Sequence, residues 1–422
     1  MLAAAAVLSV AVVRAPAARS KEPAMFRCET RHYMVETDTS PQFAEVIGRH
    51  MEEIFKEYSR RFKDYGRLTT RFDVAVFRTQ QGYADRVPPL VQGSTGVFVS
   101  AQSLLAAHCE NRTPEEVLRT LYHEGFHQFM YCVVSQRCPV WLNEGLAEYF
   151  SEATWNGQSF TTGRVPTMRL HTVQQALRDG TYIRLGELFA MEPAQWLQNV
   201  RTDARRASLH YSQAWSVAQF LIHANNGAYA AMLDRFVKEI SEGRSHDDAF
   251  RRCFGTDLAA FEVTWGRYVM SLKPSPEFHC RDNMEAILLL AAMVYKDPRE
   301  FTSVAELRPR LLSGRAGRWE IIRPTGEKVT SDRRADVADL FRCPFDQGGQ
   351  RVSYVLVRNL QTGAPMLVCD HHPGVIIKAY YEPAPDGSLR PVVEEEVRET
   401  VRPDLIQAIA AAVADQLQGK ER

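Results

Sequence analysis

The chain has 422 residues, 45% of them hydrophobic, and its 51 basic and 51 acidic side chains cancel to a formal charge of zero. That length and apolar content suffice for more than one packed core. The balanced charge excludes the global basic excess of a nucleic-acid or anionic-membrane binder, so no nucleic acid is expected as a partner.

Residues 2–13 (LAAAAVLSVAVV) form an apolar run followed by Arg14-Ala15-Pro16-Ala17-Ala18. The run is too short to span a bilayer and has the length of a signal-peptide core, so residues 1–20 are expected to be a signal peptide and the protein to be exported, periplasmic or extracellular. Only the amino terminus supplies positive charge ahead of the run, which leaves an uncleaved membrane anchor as the alternative. The eight cysteines, at 28, 109, 132, 138, 253, 280, 343 and 369, are even in number, as disulfides in an exported chain would be. Cys132 with Cys138 is the first pair expected.

Beyond the leader, residues 32–37 alternate in hydropathy like a strand, and residues 42–62 carry Phe43, Val46, Ile47, Met51, Ile54, Phe55, Tyr58 and Phe62 at helical spacing. Alternation returns at 70–77, and 96–100 reads as a further short strand, together suggesting a small sheet. Thr113-Pro114-Glu115-Glu116 combines a hydroxyl cap, a proline at the first helical position and a glutamate at the third, so a helix should begin near Pro114. Its residues Val117, Leu118, Leu121, Gly125 and Phe129 would form an apolar face. A second helix is entered through Pro139, and 210–224, 229–240, 246–254 and 258–272 read as further helices. Lys273-Pro274-Ser275-Pro276 marks a boundary. Past it, 284–295 reads as an apolar helix too short to span a membrane. Residues 319–323, 352–360, 366–369, 375–381 and 391–397 read as strands, and 404–417 as a closing helix.

The chemistry concentrates on the helix begun at Pro114. His123 and His127 stand one turn apart on one face and can share a metal ion, while Glu124 is rotated about 100° from His123 and can reach a water beside that ion. Asn143-Glu144-Gly145-Leu146-Ala147-Glu148 on the next helix offers a third ligand in Glu144 and, one turn on, a carboxylate in Glu148 able to orient a ligating histidine. Two imidazoles and a carboxylate leave a fourth position of a zinc ion open to water. The bland alternative is two core histidines beside solvated glutamates.

His123-Glu124-Gly125-Phe126-His127 followed by Trp141-Leu142-Asn143-Glu144-Gly145-Leu146-Ala147-Glu148-Tyr149 resembles the gluzincin metallopeptidases, the group of thermolysin and the zinc aminopeptidases. It is closest to the peptidase-MA-like domains of unknown function found in exported bacterial proteins. The resemblance covers roughly residues 30–272. It implies Zn2+ held by His123, His127 and Glu144, with Glu148 and Asn143 supporting the ligands, and hydrolysis of a peptide or protein substrate by a metal-activated water with Glu124 as general base. A weaker similarity at residues 210–216 implies Tyr211 as oxyanion donor. Only sixteen residues separate His127 from Glu144, fewer than in the better-known members, and a Cys132–Cys138 link would fix so tight a turn. The Gly-Ala-Met-Glu-Asn element of the aminopeptidases is absent.

The expected fold is therefore α+β: a zincin-like catalytic domain over 28–273, with a small mixed sheet and a mainly helical part, and a small α+β domain of unknown role over 281–422. Strand 96–100 is the expected edge for an extended peptide, to be tested by Val97→Pro. Cys343-Pro344-Phe345-Asp346 and Cys369-Asp370-His371-His372 are spaced like a zinc ribbon but lack a Cys-x-x-Cys knuckle, so a Cys343–Cys369 disulfide is the simpler reading. His108-Cys109 and His279-Cys280 lack partners at ligand spacing and read as structural. The competing function is a non-catalytic, peptidase-like binding or scaffold protein with a structural zinc.

Overall fold

The computed structural model describes residues 24–62, 71–295, 297–323, 327–343, 354–359, 363–370, 375–384 and 388–397. The leader, the helix expected at 404–417, and Pro344, Phe345, Asp346, His371 and His372 lie outside the described residues. The protein is α+β and divides into two compact units, with Lys273 closing the first and Pro274 opening the main part of the second.

In the first unit, β1 (Phe26–Glu29), β2 (Tyr33–Thr37), α1 (Pro41–Arg61), β3 (Phe72–Phe77), α2 (Gln80–Arg86), β4 (Gly96–Val99) and β5 (Leu104–His108) precede the motif helix α3 (Pro114–Val134). The five strands form one sheet in the order β1-β2-β3-β5-β4, with β2, β3 and β5 parallel and both edge strands antiparallel. Strand β5 carries no sequence alternation. Leu104 to His108 are all buried, as expected of an inner strand covered on both faces.

Helix α3 begins where the sequence places it. Thr113 Oγ1 accepts from Glu116 N, and a Glu116 carboxylate oxygen accepts from Thr113 N, with Pro114 in the first turn. Its middle, however, is buried nearly all round, from Thr120 to Met130, rather than along one apolar face. Sheet and α1 cover one side, and α4 (Val140–Ser151) covers the other. Helix α1 is pinned to α3 by two hydrogen bonds at one residue: Tyr58 Oη donates to the Tyr122 carbonyl at 2.6 Å, and His50 Nδ1 lies 2.7 Å from Tyr122 Oη.

Burial, and then the charge of Arg49, lower the His50 pKa to about 4, against about 6.5 in an unfolded chain. As pH falls, the unfolded chain therefore takes up this proton first, and stability present above pH 6.5 is lost progressively toward pH 4. With His50 only partly buried by area, a loss of about 1–2 kcal/mol is expected by pH 4.5. Urea titrations at pH 7 and 4.5 should show the advantage of wild type over His50→Gln shrinking by that amount; an advantage that is constant with pH would refute the assignment.

The unit continues with β6 (Thr154–Trp155), β7 (Phe160–Thr161), α5 (Thr167–Asp179), α6 (Leu185–Phe189), α7 (Pro193–Thr202), α8 (Ala204–Gly227), α9 (Ala230–Ser241), α10 (His246–Phe254) and α11 (Leu258–Ser271). Helix α8 packs closely along α4, and its buried face from His210 to Ile222 lies in the core.

The second unit contains α12 (Pro276–Val294), α13 (Val304–Leu312), β8 (Glu320–Ile322), β9 (Lys328–Thr330), α14 (Arg334–Leu340), and an antiparallel sheet of β10 (Val355–Arg358), β11 (Pro365–Cys369), β12 (Val375–Pro383) and β13 (Leu389–Val397) in sequential order. Helix α12 covers this sheet, with Tyr381 Oη donating to the Leu288 carbonyl at 2.5 Å. No helix among the described residues is long and apolar enough to cross a membrane.

Candidate metal centre

His123 and His127 project from α3 and Glu144 from the first turns of α4, all at most 4% exposed. The two Nε2 atoms are 3.1 Å apart, and Glu144 Oε2 is 3.5 Å from each. Ligands about 2.05 Å from a tetrahedral zinc are separated by roughly 3.3 Å, so this triangle has the size of one face of such a site. Glu144 Oε2 is buried without a hydrogen bond, and its charge is faced only by the two imidazoles 3.5 Å away. The donor set thus fits a metal ion.

The electrostatics point the same way. Burial opposes charge on both His127 and Glu144, yet each is driven toward its ionised form by the other. Glu144 is the first influence raising His127, to about 9, with Asn143 adding a smaller push, while the His127 charge leads those lowering Glu144. The two donors thus form an ion pair, whose proton a metal ion would have to displace.

Glu124 follows His123 on the same turn and is fully buried. Its Oε2 accepts a 2.9 Å hydrogen bond from Phe98 N on the sheet edge, whereas Oε1 has no partner. Burial, only partly offset by the two histidines, raises its pKa. The bond also corrects the expectation for β4. Because Phe98 N–H points away from β5 and is taken by Glu124, the alternating ladder turns Val97 toward its partner Ala106. Val97→Pro would therefore break the sheet and say nothing about peptide pairing.

Behind His123 stands a chain of charges. His123 Nδ1 is 3.8 Å from Glu148 Oε1, and Arg169 of α5 pairs with both Glu148 and Glu152, the latter at 3.2 Å. Glu152 also pairs with Arg119 of α3. Sequence reasoning finds Glu148 but not Arg169 or Arg119, since no spacing rule links a carboxylate to an arginine on another helix. Gln128, also unforeseen, donates through Nε2 to the carbonyls of Asp73 and Ser103 and ties α3 to the sheet. Arg169→Ala leaves two buried carboxylates undercompensated and is expected to weaken metal binding about 10–100-fold, read as a dissociation constant by competition with a chromophoric chelator. Unchanged affinity would reduce Arg169 to a surface pairing.

Tyr211 lies on α8, 1% exposed, and its hydroxyl makes no hydrogen bond among the described residues. Burial, followed by the negative charge of Glu144, drives its pKa well above that of a free phenol. The connection from α3 to α4 is not closed by a disulfide: Cys132 and Cys138 are unbonded. Ser135 in a left-handed conformation (φ 56°) ends α3, one 3-10 turn follows, and Pro139 enters α4. Arg137 fastens this turn by donating to the Ser241 carbonyl at 3.0 Å.

Opening beside His127 and Glu144 is a cavity of about 650 Å³, walled on one side by Met130, Tyr131 and Asn143 and on the other by Trp196 and Leu197 of α7. Nothing in the sequence marks α7 as a wall.

A family profile described as "Protein of unknown function (DUF1570)" matches residues 117–241, from the first turn of α3 to the end of α9, and so takes in His123, Glu124, His127, Glu144, Glu148 and Tyr211. No curated protein and no solved structure matches the chain.

Proposed function

We propose that the protein is an exported zinc peptidase of the gluzincin type, its first unit a zincin-like catalytic domain. The observation that carries this reading is Glu124, with one carboxylate oxygen fixed to the strand edge and the other buried and unpartnered, adjacent in the chain to a three-donor set of zinc dimensions. A structural metal site needs no such group.

Zinc held by His123, His127 and Glu144 would supply Lewis acidity at the scissile carbonyl and lower the pKa of water toward about 7. Glu124 Oε1 takes the proton of the attacking water, keeps it while the amide opens, and delivers it to the leaving nitrogen. Tyr211, whose phenol stays protonated because it is buried, donates to the developing oxyanion, a contribution of about 3 kcal/mol. The apolar cavity beside His127 and Glu144 receives a side chain of a peptide substrate.

The test is metal content of the purified chain together with hydrolysis of a mixed peptide library, with and without a chelator. Cleavage abolished by the chelator and restored by zinc is expected. A fully metal-loaded chain inert on the library would instead favour the non-catalytic scaffold.

A further inference from the structure

The second unit brings together three cysteines that the sequence keeps apart. Cys280 lies on α12, Cys343 follows α14, and Cys369 ends β11. All are at most 1% exposed, and their sulfurs fall within 4.8 Å of one another. Cys280 has no partner at ligand spacing in the sequence, and the fold supplies two in space. Cys343 Sγ and Cys369 Sγ are 3.5 Å apart, a non-bonded separation when a disulfide measures about 2.05 Å. One turn along α12, Met284 is also fully buried and its sulfur lies 3.8 Å from Cys280 Sγ.

We propose that Cys280, Cys343 and Cys369 form a thiolate site for a structural Zn2+, with the Met284 thioether as a fourth soft donor beside them. Thiolates about 2.3 Å from a tetrahedral zinc stand roughly 3.8 Å apart, the scale of the separations here. Binding replaces three S–H bonds with three Zn–S bonds and releases three protons, so the ion and its thiolates carry a net charge of −1. Cu+, the other common ion of buried sulfur sites, would leave −2 in the same apolar surroundings. Burial, then hydrogen bonding and charge from Cys343 and Cys369, raise the Cys280 pKa well above that of a free thiol. The surroundings explain why a metal matters to this unit. The three cysteines belong to a core that also holds Met284, Ile287, Leu340, Leu367 and Ile377, so one ion ties α12 to the end of α14 and to the sheet.

The site is independent of the proposed peptidase centre, whose donors contain no sulfur, and the full chain can report on it without any substitution. Metal-free protein under reductant, titrated with Co2+, is expected to develop a sulfur-to-cobalt charge-transfer absorption in the near ultraviolet, and zinc-loaded protein to hold about two ions per chain. Cys280→Ser should remove about one zinc and most of the charge-transfer band. A chain that takes up cobalt without that band overturns the proposal. So does a Cys343–Cys369 disulfide found by peptide mapping of anaerobically purified protein, or a site that takes Cu+ but not Zn2+. A band that survives Cys280→Ser in a folded chain would place the thiolate elsewhere and overturn it equally.

Discussion

Glu124→Gln is expected to lower kcat for peptide hydrolysis by about a thousandfold, within the range of 10²–10⁴ for a general acid-base group, while leaving metal content unchanged. The substitution suits the local structure. The Phe98 N–H needs one oxygen acceptor, and the carboxamide oxygen can still provide it. The second position is then an NH2, which can neither take a proton from water nor hand one to the leaving nitrogen. Stability should change by no more than about 1 kcal/mol, because burying a neutral amide costs less than burying a carboxylate whose second oxygen is unpaired. The decisive readouts are kcat, KM and zinc stoichiometry measured on one preparation. A variant that keeps its zinc and more than a tenth of wild-type kcat would remove Glu124 from the mechanism.

The parts of the fold that could be read in the sequence are those set by local rules. Thr113, Pro114 and Glu116 announce the start of α3 because a cap is a short-range hydrogen-bond pattern. His123, His127 and Glu144 converge as their spacing suggests, because two helical turns and a short connection leave little freedom. What could not be read depends on contacts between distant segments. Strand β5 is apolar from Leu104 to Ala107 because both its faces are covered, so it shows no period of two. The one-sided apolar stripe expected on α3 fails for a similar reason, since α4 covers the histidine side as thoroughly as the sheet and α1 cover the other. Arg169 reaches Glu148 only because α5 folds back beside α4, and Cys280 meets Cys343 and Cys369 only through the packing of α12 on its sheet.

These distant contacts hold the candidate metal centre in place. The sheet edge fixes Glu124, Gln128 fixes the register of α3 on the sheet, and Arg169 with Arg119 fixes the carboxylates behind His123. Glu144 is the only proposed ligand outside α3, so its position depends on how closely α4 is held against its neighbours. That dependence falls on a single small residue.

Gly145→Ala is expected to destabilise the first unit and, by displacing Glu144, to weaken metal binding by at least about tenfold. A Cβ at position 145 would lie 2.4 Å from the Ala214 carbonyl oxygen and 2.8 Å from its carbon, both backbone atoms of α8 that no side-chain rotation can clear. The helices would have to separate at the residue next to the ligand. Replacing glycine by alanine inside a helix ordinarily gains up to about 1 kcal/mol from backbone entropy. Here overpacking costs about 1–3 kcal/mol or more, and the steric term wins. Gly125→Ala supplies the contrast within the motif helix. Its new Cβ would meet the Met51 terminal methyl at 2.7 Å, the far end of a flexible side chain, with every other neighbour at ordinary contact distance. That variant should stay within about 1 kcal/mol of wild type and keep its metal. Thermal melting with zinc titration of both variants decides the matter: equal behaviour of the two would mean that the close approach of α4 and α8 does not set the position of Glu144.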